Sequence, residues 1–154
     1  MRVLPFLAVA MLVAPSLAQT AKTAKVFSGR KIAAQWADLE QTSKPSGSSG
    51  ATVGDYQSHS IRLSVRTASG GAEVHSHFDD IFVVTGGNAT LITGGSVVKP
   101  QTDADGEIKG TRIQDGTSQK ITKDDVVHIP AGVPHQLIID PGNTFSAIVV
   151  KVRE

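Results

Sequence analysis

From residue 54 onward the sequence is cut into short apolar pieces by turns of Gly, Pro and Asp, and this punctuation constrains the fold more than any other feature. Ile61, Leu63 and Val65 alternate with Ser60, Arg62, Ser64 and Arg66, the period of two expected of a strand with one buried face. That parity predicts Ile61, Leu63 and Val65 on the core side. Gly70-Gly71 turns the chain, and the runs 81–84 and 89–92 flank Gly86-Gly87-Asn88 as a hairpin. Residues 99–110 read as a polar loop around Asp103-Ala104-Asp105-Gly106, and strand-like pieces recur at 111–114, 119–122, 126–129, 135–139 and 145–152. Many short strands with one helix make the chain all-β, an antiparallel sandwich or barrel.

The region before residue 54 differs in kind. Met1-Arg2 followed by an apolar run over 3–14 and Ser16-Leu17-Ala18 predicts a signal peptide over 1–18, cleaved before Gln19. The run is too short to span a bilayer, which takes about 20 residues. Export is therefore expected, to a periplasm or outside the cell, with no membrane association after cleavage. Residues 19–53 form an N-terminal extension. Within it, 28–41 reads as an amphipathic helix, with Ile32, Trp36 and Leu39 at spacings of four and three and Ser28 as N-cap. Lys44-Pro45 is expected to end the helix, and 46–50 to be a flexible link. The helix should clasp the β domain of residues 54–154, with Trp36 as its anchor.

Composition excludes several classes of function. The chain of 154 residues has no cysteine, so thiol nucleophiles, zinc fingers and iron–sulfur ligation are out. Lys and Arg number 15 against 14 Asp and Glu, and aromatics make up 5%, which supports neither a basic footprint nor stacking platforms for nucleic acid. Any metal must be held by His, Asp or Glu.

Those residues occur in a pattern. His75-Ser76-His77 places two imidazoles two residues apart, which in a strand would point both to one side. Asp80 follows at the start of the next apolar run. Far downstream, Pro130-Ala131-Gly132-Val133-Pro134-His135 is a rigid turn that delivers one more imidazole into a strand. Imidazoles and a carboxylate converging from separate strands suit a divalent transition metal.

These segments resemble the two motifs of the cupin superfamily, in its small single-domain form. The first motif runs Gly, five residues, His-x-His, three or four residues, Glu, six residues, Gly; the second contains Pro-x-Gly-x-x-His. The resemblance covers roughly residues 54–152 and implies a double-stranded β-helix, or jelly-roll barrel, with 54–154 as the cupin domain. It implies His75, His77 and His135 as imidazole ligands and Asp80 as the position-matched carboxylate. Asp80 is one methylene shorter than the family's Glu; it could touch the metal, act through a water or orient a histidine. Asp79 is the fallback. The ion implied is one divalent Mn, Fe, Ni, Zn or Cu, holding a small carboxylate- or enol-type ligand.

Two chemistries follow from the resemblance, oxygenation at Fe(II) and Lewis-acid isomerisation or elimination. The rival class is a non-catalytic exported module that captures a small ligand or a metal. His59 and Tyr56 are the candidates for the general acid or base. Phe78, Phe82, Val84, Leu137 and Ile139 are expected to line or back a mostly apolar pocket. His128 has the opposite parity to Val127 and Ile129 and is expected to be structural or exposed. Asp103 to Gly106 reads as a turn rather than a calcium loop. The family resemblance also implies a homodimer.

Overall fold

The computed structural model describes residues 23–154; the expected signal peptide lies outside the described residues. Helix α1 (Gly29–Ser46) precedes thirteen short strands. These are β1 (Ser48–Asp55), β2 (His59–Arg66), β3 (Ala72–Val74), β4 (Phe78–Gly86), β5 (Asn88–Thr93), β6 (Ser96–Val98) and β7 (Gln101–Thr102). They continue as β8 (Ile108–Gly110), β9 (Arg112–Gln114), β10 (Thr117–Thr122), β11 (Val126–Ile129), β12 (His135–Ile138) and β13 (Phe145–Arg153). A five-stranded sheet in the order β1-β2-β13-β4-β11 faces a six-stranded sheet in the order β10-β5-β12-β3-β8-β7, and β6 pairs with β9. Every pairing is antiparallel. The all-β expectation holds.

Where both sheets are complete, the interior is apolar. Phe82 and Val84 of β4, Leu91 of β5, Ile121 of β10, Ile129 of β11 and Phe145 of β13 belong to one buried cluster. Residues two apart on a strand share a face, so the inward row of β4 is Asp80, Phe82 and Val84, and that of β13 is Lys151, Val149, Ala147 and Phe145. The β4–β5 hairpin turns at Gly87, where φ is +71° and a Cβ would fall 1.9 Å from the Thr144 carbonyl, so only glycine fits.

The parity of β2 is the reverse of the expectation. Arg66, Ser64 and Arg62 pair with Phe145, Ala147 and Val149, so the polar row of β2 faces the interior. Leu63 and Val65, at 1% and 2% exposure, are buried on the other face and stand outside the barrel's apolar cluster. What buries them is α1, which packs on β1 and β2. The strand has two covered faces, and alternation alone cannot say which cover is the barrel.

The helix also runs further than its sequence suggests. It continues through Pro45 to Ser46 and stops at Gly47, whose left-handed conformation lets its amide donate to the Ser43 carbonyl at 2.7 Å. Ser43 is fully buried, and its carbonyl also accepts from Thr67 Oγ1 at 2.8 Å. Trp36 is half-buried against the sheet. The stretch 46–50 expected as a flexible link is instead the helix end, the Gly47 cap and the start of β1, paired with β2 from Ser48 onward. Similarly, the polar loop at 99–110 contains the short β7–β8 hairpin.

Candidate metal centre

The chain leaves β3 at Val74, so His75, Ser76 and His77 lie in a bend between β3 and β4 rather than within a strand. The two imidazoles consequently part. His75 turns inward and is buried, whereas His77 is exposed. The residue that shares an inward face with His75 is Glu73, two positions earlier in β3. Donor atoms of Glu73, His75 and His135 all lie within 4.8 Å of one another. Asp80 closes the group: its Oδ2 is 3.3 Å from His75 Nε2 and 4.0 Å from His135 Nε2.

The turn that carries His135 is fastened to the first motif at two points. The Gly132 amide donates to the His75 carbonyl at 2.8 Å, with Gly132 at φ +77°. The Ala131 amide donates to Asp79 Oδ1, also at 2.8 Å. Asp79, the fallback ligand, points away from the donor group and clamps this turn instead. Its other oxygen accepts from His128 Nε2 at 2.8 Å, and these contacts hold the Asp79 carboxyl below the usual carboxylate range. His128 is more than half exposed, as its parity suggests.

Both buried imidazoles are oriented from behind. His75 Nδ1 is hydrogen-bonded to Glu107 Oε2, and His135 Nδ1 to the Val133 carbonyl at 3.1 Å. A carboxylate and a carbonyl can only accept, so each Nδ1 carries the proton and each Nε2 is turned toward Asp80. Glu107 is itself placed by the turn over 103–106, in which Asp103 Oδ1 accepts from the amides of Asp105 and Glu107 at 3.1 and 3.0 Å. Ser76 Oγ donates to the Gly106 carbonyl, which fastens the same turn over the bend.

A lysine completes the arrangement. Lys151 and Asp80 are register partners on β13 and β4, and Lys151 Nζ lies 2.9 Å from Asp80 Oδ1. Burial would raise the Asp80 pKa, but His75 and Lys151 together hold it below the ordinary value. Burial pulls His75 down, yet its bonds to Asp80 and Glu107 outweigh this and leave its pKa raised. Burial dominates at His135, whose pKa is lowered. Two imidazoles with fixed tautomers and two carboxylates fit a divalent transition metal.

The donors line a cavity of about 410 Å³ between the sheets. Phe82 and Leu137 form part of its wall, but so do Arg62, Arg66, Lys109 and Lys151, and the expected mostly apolar pocket is instead charged. His59 and Tyr56, the speculative acid and base, do not line it. They stack on each other with ring centroids 4.9 Å apart, and His59 pairs with Val152 on the outward face of β13.

Glu73, Glu107 and Lys151 had no part in the sequence-based site. One signal for Glu73 was available. Counting His75 as the second histidine leaves four residues before Asp80 and six between Asp80 and Gly87, the motif's own spacing, with Glu73 in the first histidine's place. Glu107 carries no such signal, because only the tertiary fold brings its loop to His75.

No family model matches the chain, and no curated protein matches its sequence. Solved structures do match. A DMSP lyase from Ruegeria pomeroyi is 14% identical with a TM-score of 0.53, over 72% of this chain and 49% of that one. The cupin domain of Cnp3 from Schizosaccharomyces pombe is 11% identical with a TM-score of 0.53, over 70% and 65%. An oxalate oxidase in complex with glycolate is 16% identical with a TM-score of 0.52, over 73% and 54%. The chain thus spans about half the length of the lyase and the oxidase and under two thirds of the Cnp3 domain. The fold is the cupin double-stranded β-helix. Proteins of such different description on one fold leave the activity to be argued from the site.

Proposed function

We propose that the chain is an exported metal-binding cupin that acts on a small carboxylate- or enol-type molecule by Lewis-acid catalysis, as an isomerase or lyase. The observation that carries this reading is the pair of imidazoles whose Nδ1 protons are tied to Glu107 and the Val133 carbonyl. Their Nε2 atoms thereby converge on Asp80 and Glu73 within a cavity of small-molecule size. When bound there, a divalent Mn, Fe, Ni, Zn or Cu ion would polarise a carboxylate or carbonyl oxygen of the substrate.

The chain's own groups support that use. Glu107 and Val133 fix the imidazoles, so the donors need little rearrangement when substrate arrives. Lys151 places a fixed positive charge beside Asp80, where it would stabilise negative charge developing on a substrate oxygen. Two structural neighbours, one described as a DMSP lyase and one as an oxalate oxidase in complex with glycolate, support a small carboxylate-type substrate. A homodimer belongs to the same proposal, through the outward face of the five-stranded sheet. Val83 is exposed there, beside half-buried Ile81, Ile148 and Val150.

Metal content of the purified protein, with and without loading, is the first test. Hydrogen–deuterium exchange at the α-carbon of small keto acids, followed by NMR, is the second. Near-stoichiometric metal and exchange that disappears in His75→Ala are expected. Metal without exchange leaves a binding module in place of an enzyme, and no metal under any loading condition overturns the metal reading.

A further inference from the structure

The cavity wall carries more positive charge than a metal site requires. Arg62, Arg66, Lys109 and Lys151 line it against two carboxylates, Glu73 and Asp80. Lys151 is paired with Asp80. Among the described residues Arg62, Arg66 and Lys109 have no carboxylate within salt-bridge distance. With both carboxylates engaged by a divalent cation, the surplus would grow further. Arg66 is half-buried and Arg62 exposed on the inward row of β2, and unmatched guanidinium groups lining a cavity suit an anionic ligand.

Arg66 stands apart from the donor cluster in the same cavity. The side chain is half-buried and reaches across from β2 toward the start of β3. A Cβ on Gly70 would fall 2.5 Å from Arg66 Nη1, so the guanidinium lies against the Gly70 backbone. Gly70 precedes Glu73 by three residues, so the guanidinium and the donor cluster stand at separate points along one cavity wall.

We propose that Arg66, supported by Arg62, is a second anion anchor that makes the site selective for a small dianion, with one anionic group at the donor cluster and the other on the guanidinium. The inference rests on the metal-site reading for one end of the ligand, and on Arg66 alone for the other. Bidentate recognition of a carboxylate by a planar guanidinium distinguishes a dianion from a monoanion of equal size, because a neutral or absent second group leaves the guanidinium unmatched.

The test is calorimetric titration of the purified protein with succinate, glutarate, acetate and succinamide, with metal content measured on the same sample. Succinate or glutarate is expected to bind at least about tenfold tighter than acetate or succinamide, as one charge-assisted pair predicts. Arg66→Gln should abolish that preference and leave metal content unchanged, and Arg62→Gln should reduce it. Equal affinity for dicarboxylate and monocarboxylate overturns the proposal, as does an Arg66→Gln protein that keeps the preference. Protein that takes up no metal under any loading condition and still prefers the dicarboxylates supports the anion anchor while removing the metal reading, so the two fail separately.

Discussion

His75 and Glu107 lie 32 residues apart in sequence and are joined Nδ1 to Oε2 behind the donor cluster. The bond fixes which nitrogen of His75 faces Asp80, and it converts the β7–β8 hairpin from a surface loop into a support for the site. An imidazole freed of that partner can adopt either tautomer and rotate about its ring axis. Glu107→Gln keeps the shape but exchanges a charged acceptor for a weaker one. Metal affinity, measured by competition with a chromophoric chelator, is expected to fall about 10–100-fold with the fold intact. An unchanged affinity would show that the hairpin merely covers the site.

The bend after Val74 separates the two histidines of the His-x-His pair, and this leads to a discriminating set of substitutions. His75→Ala and His135→Ala should each lose metal, because both imidazoles are buried against Asp80. His77→Ala should retain it, because His77 is exposed and lies outside the donor group. Glu73→Gln should weaken binding without abolishing it. Elemental analysis of the four proteins decides between the structural donor set and the set implied by the motif. Metal lost in His77→Ala and kept in Glu73→Gln would reverse the assignment.

Proton linkage adds a pH signature. The His75 pKa is raised above 6.5, so below its folded-state value the metal-free site holds a proton there that a metal must displace. His135 and Asp80 are shifted down and are already deprotonated. Apparent metal affinity should therefore rise about tenfold per pH unit until the His75 folded-state pKa is passed, then level off. Stability of the metal-free protein behaves differently. The raised His75 pKa stabilises the fold below about 6.5 and loses that contribution as pH rises through the folded value. The depressed His135 pKa has the opposite sign, with stability lost as pH falls below about 6.5. The two windows adjoin at about 6.5 without overlapping, so the denaturant midpoint of the metal-free protein should peak near about pH 6.5 and fall on either side, while affinity rises until the His75 value is passed.

The repeated short strands between glycine, proline and aspartate turns were enough to read the barrel, because alternation and turn chemistry are local properties. The Pro130 to His135 turn was legible for the same reason. What remained hidden depends on contacts distant in sequence. The polar row Arg62, Ser64 and Arg66 alternates with an apolar row, and both faces of β2 are covered, one by the barrel and one by α1. The parity rule assumes a single cover and so assigned the wrong row to the interior. His77 was misplaced because the i, i+2 rule holds only while the chain stays extended, and it bends after Val74. Nothing local to Glu107 or Lys151 marks them, since each acquires its role from a partner supplied by another strand.

Lys151 and Asp80 allow the electrostatics to be tested apart from metal. Asp80 retains 4% of its side-chain exposure and Lys151 20%, so the pair is largely removed from water. Lys151→Met would leave the Asp80 carboxylate with His75 as its remaining partner and no charge at Oδ1. Removing one member of a buried pair costs about 3–5 kcal/mol, and the residual exposure of Lys151 places this case near about 2–3 kcal/mol. The depressed Asp80 pKa contributes stability above the unfolded value of about 3.9 and loses it as pH falls through the folded value. Without Lys151 the folded value moves up, so the acid-unfolding midpoint should shift to higher pH. Adding Asp80→Asn to Lys151→Met removes the stranded charge and should restore most of the loss at pH 7. Urea denaturation of the two single variants, the double variant and the parent closes the cycle. A double variant no more stable than Lys151→Met would mean that Lys151 acts through packing over Phe78, whose ring centroid lies 5.5 Å from Nζ, and not through its charge on Asp80.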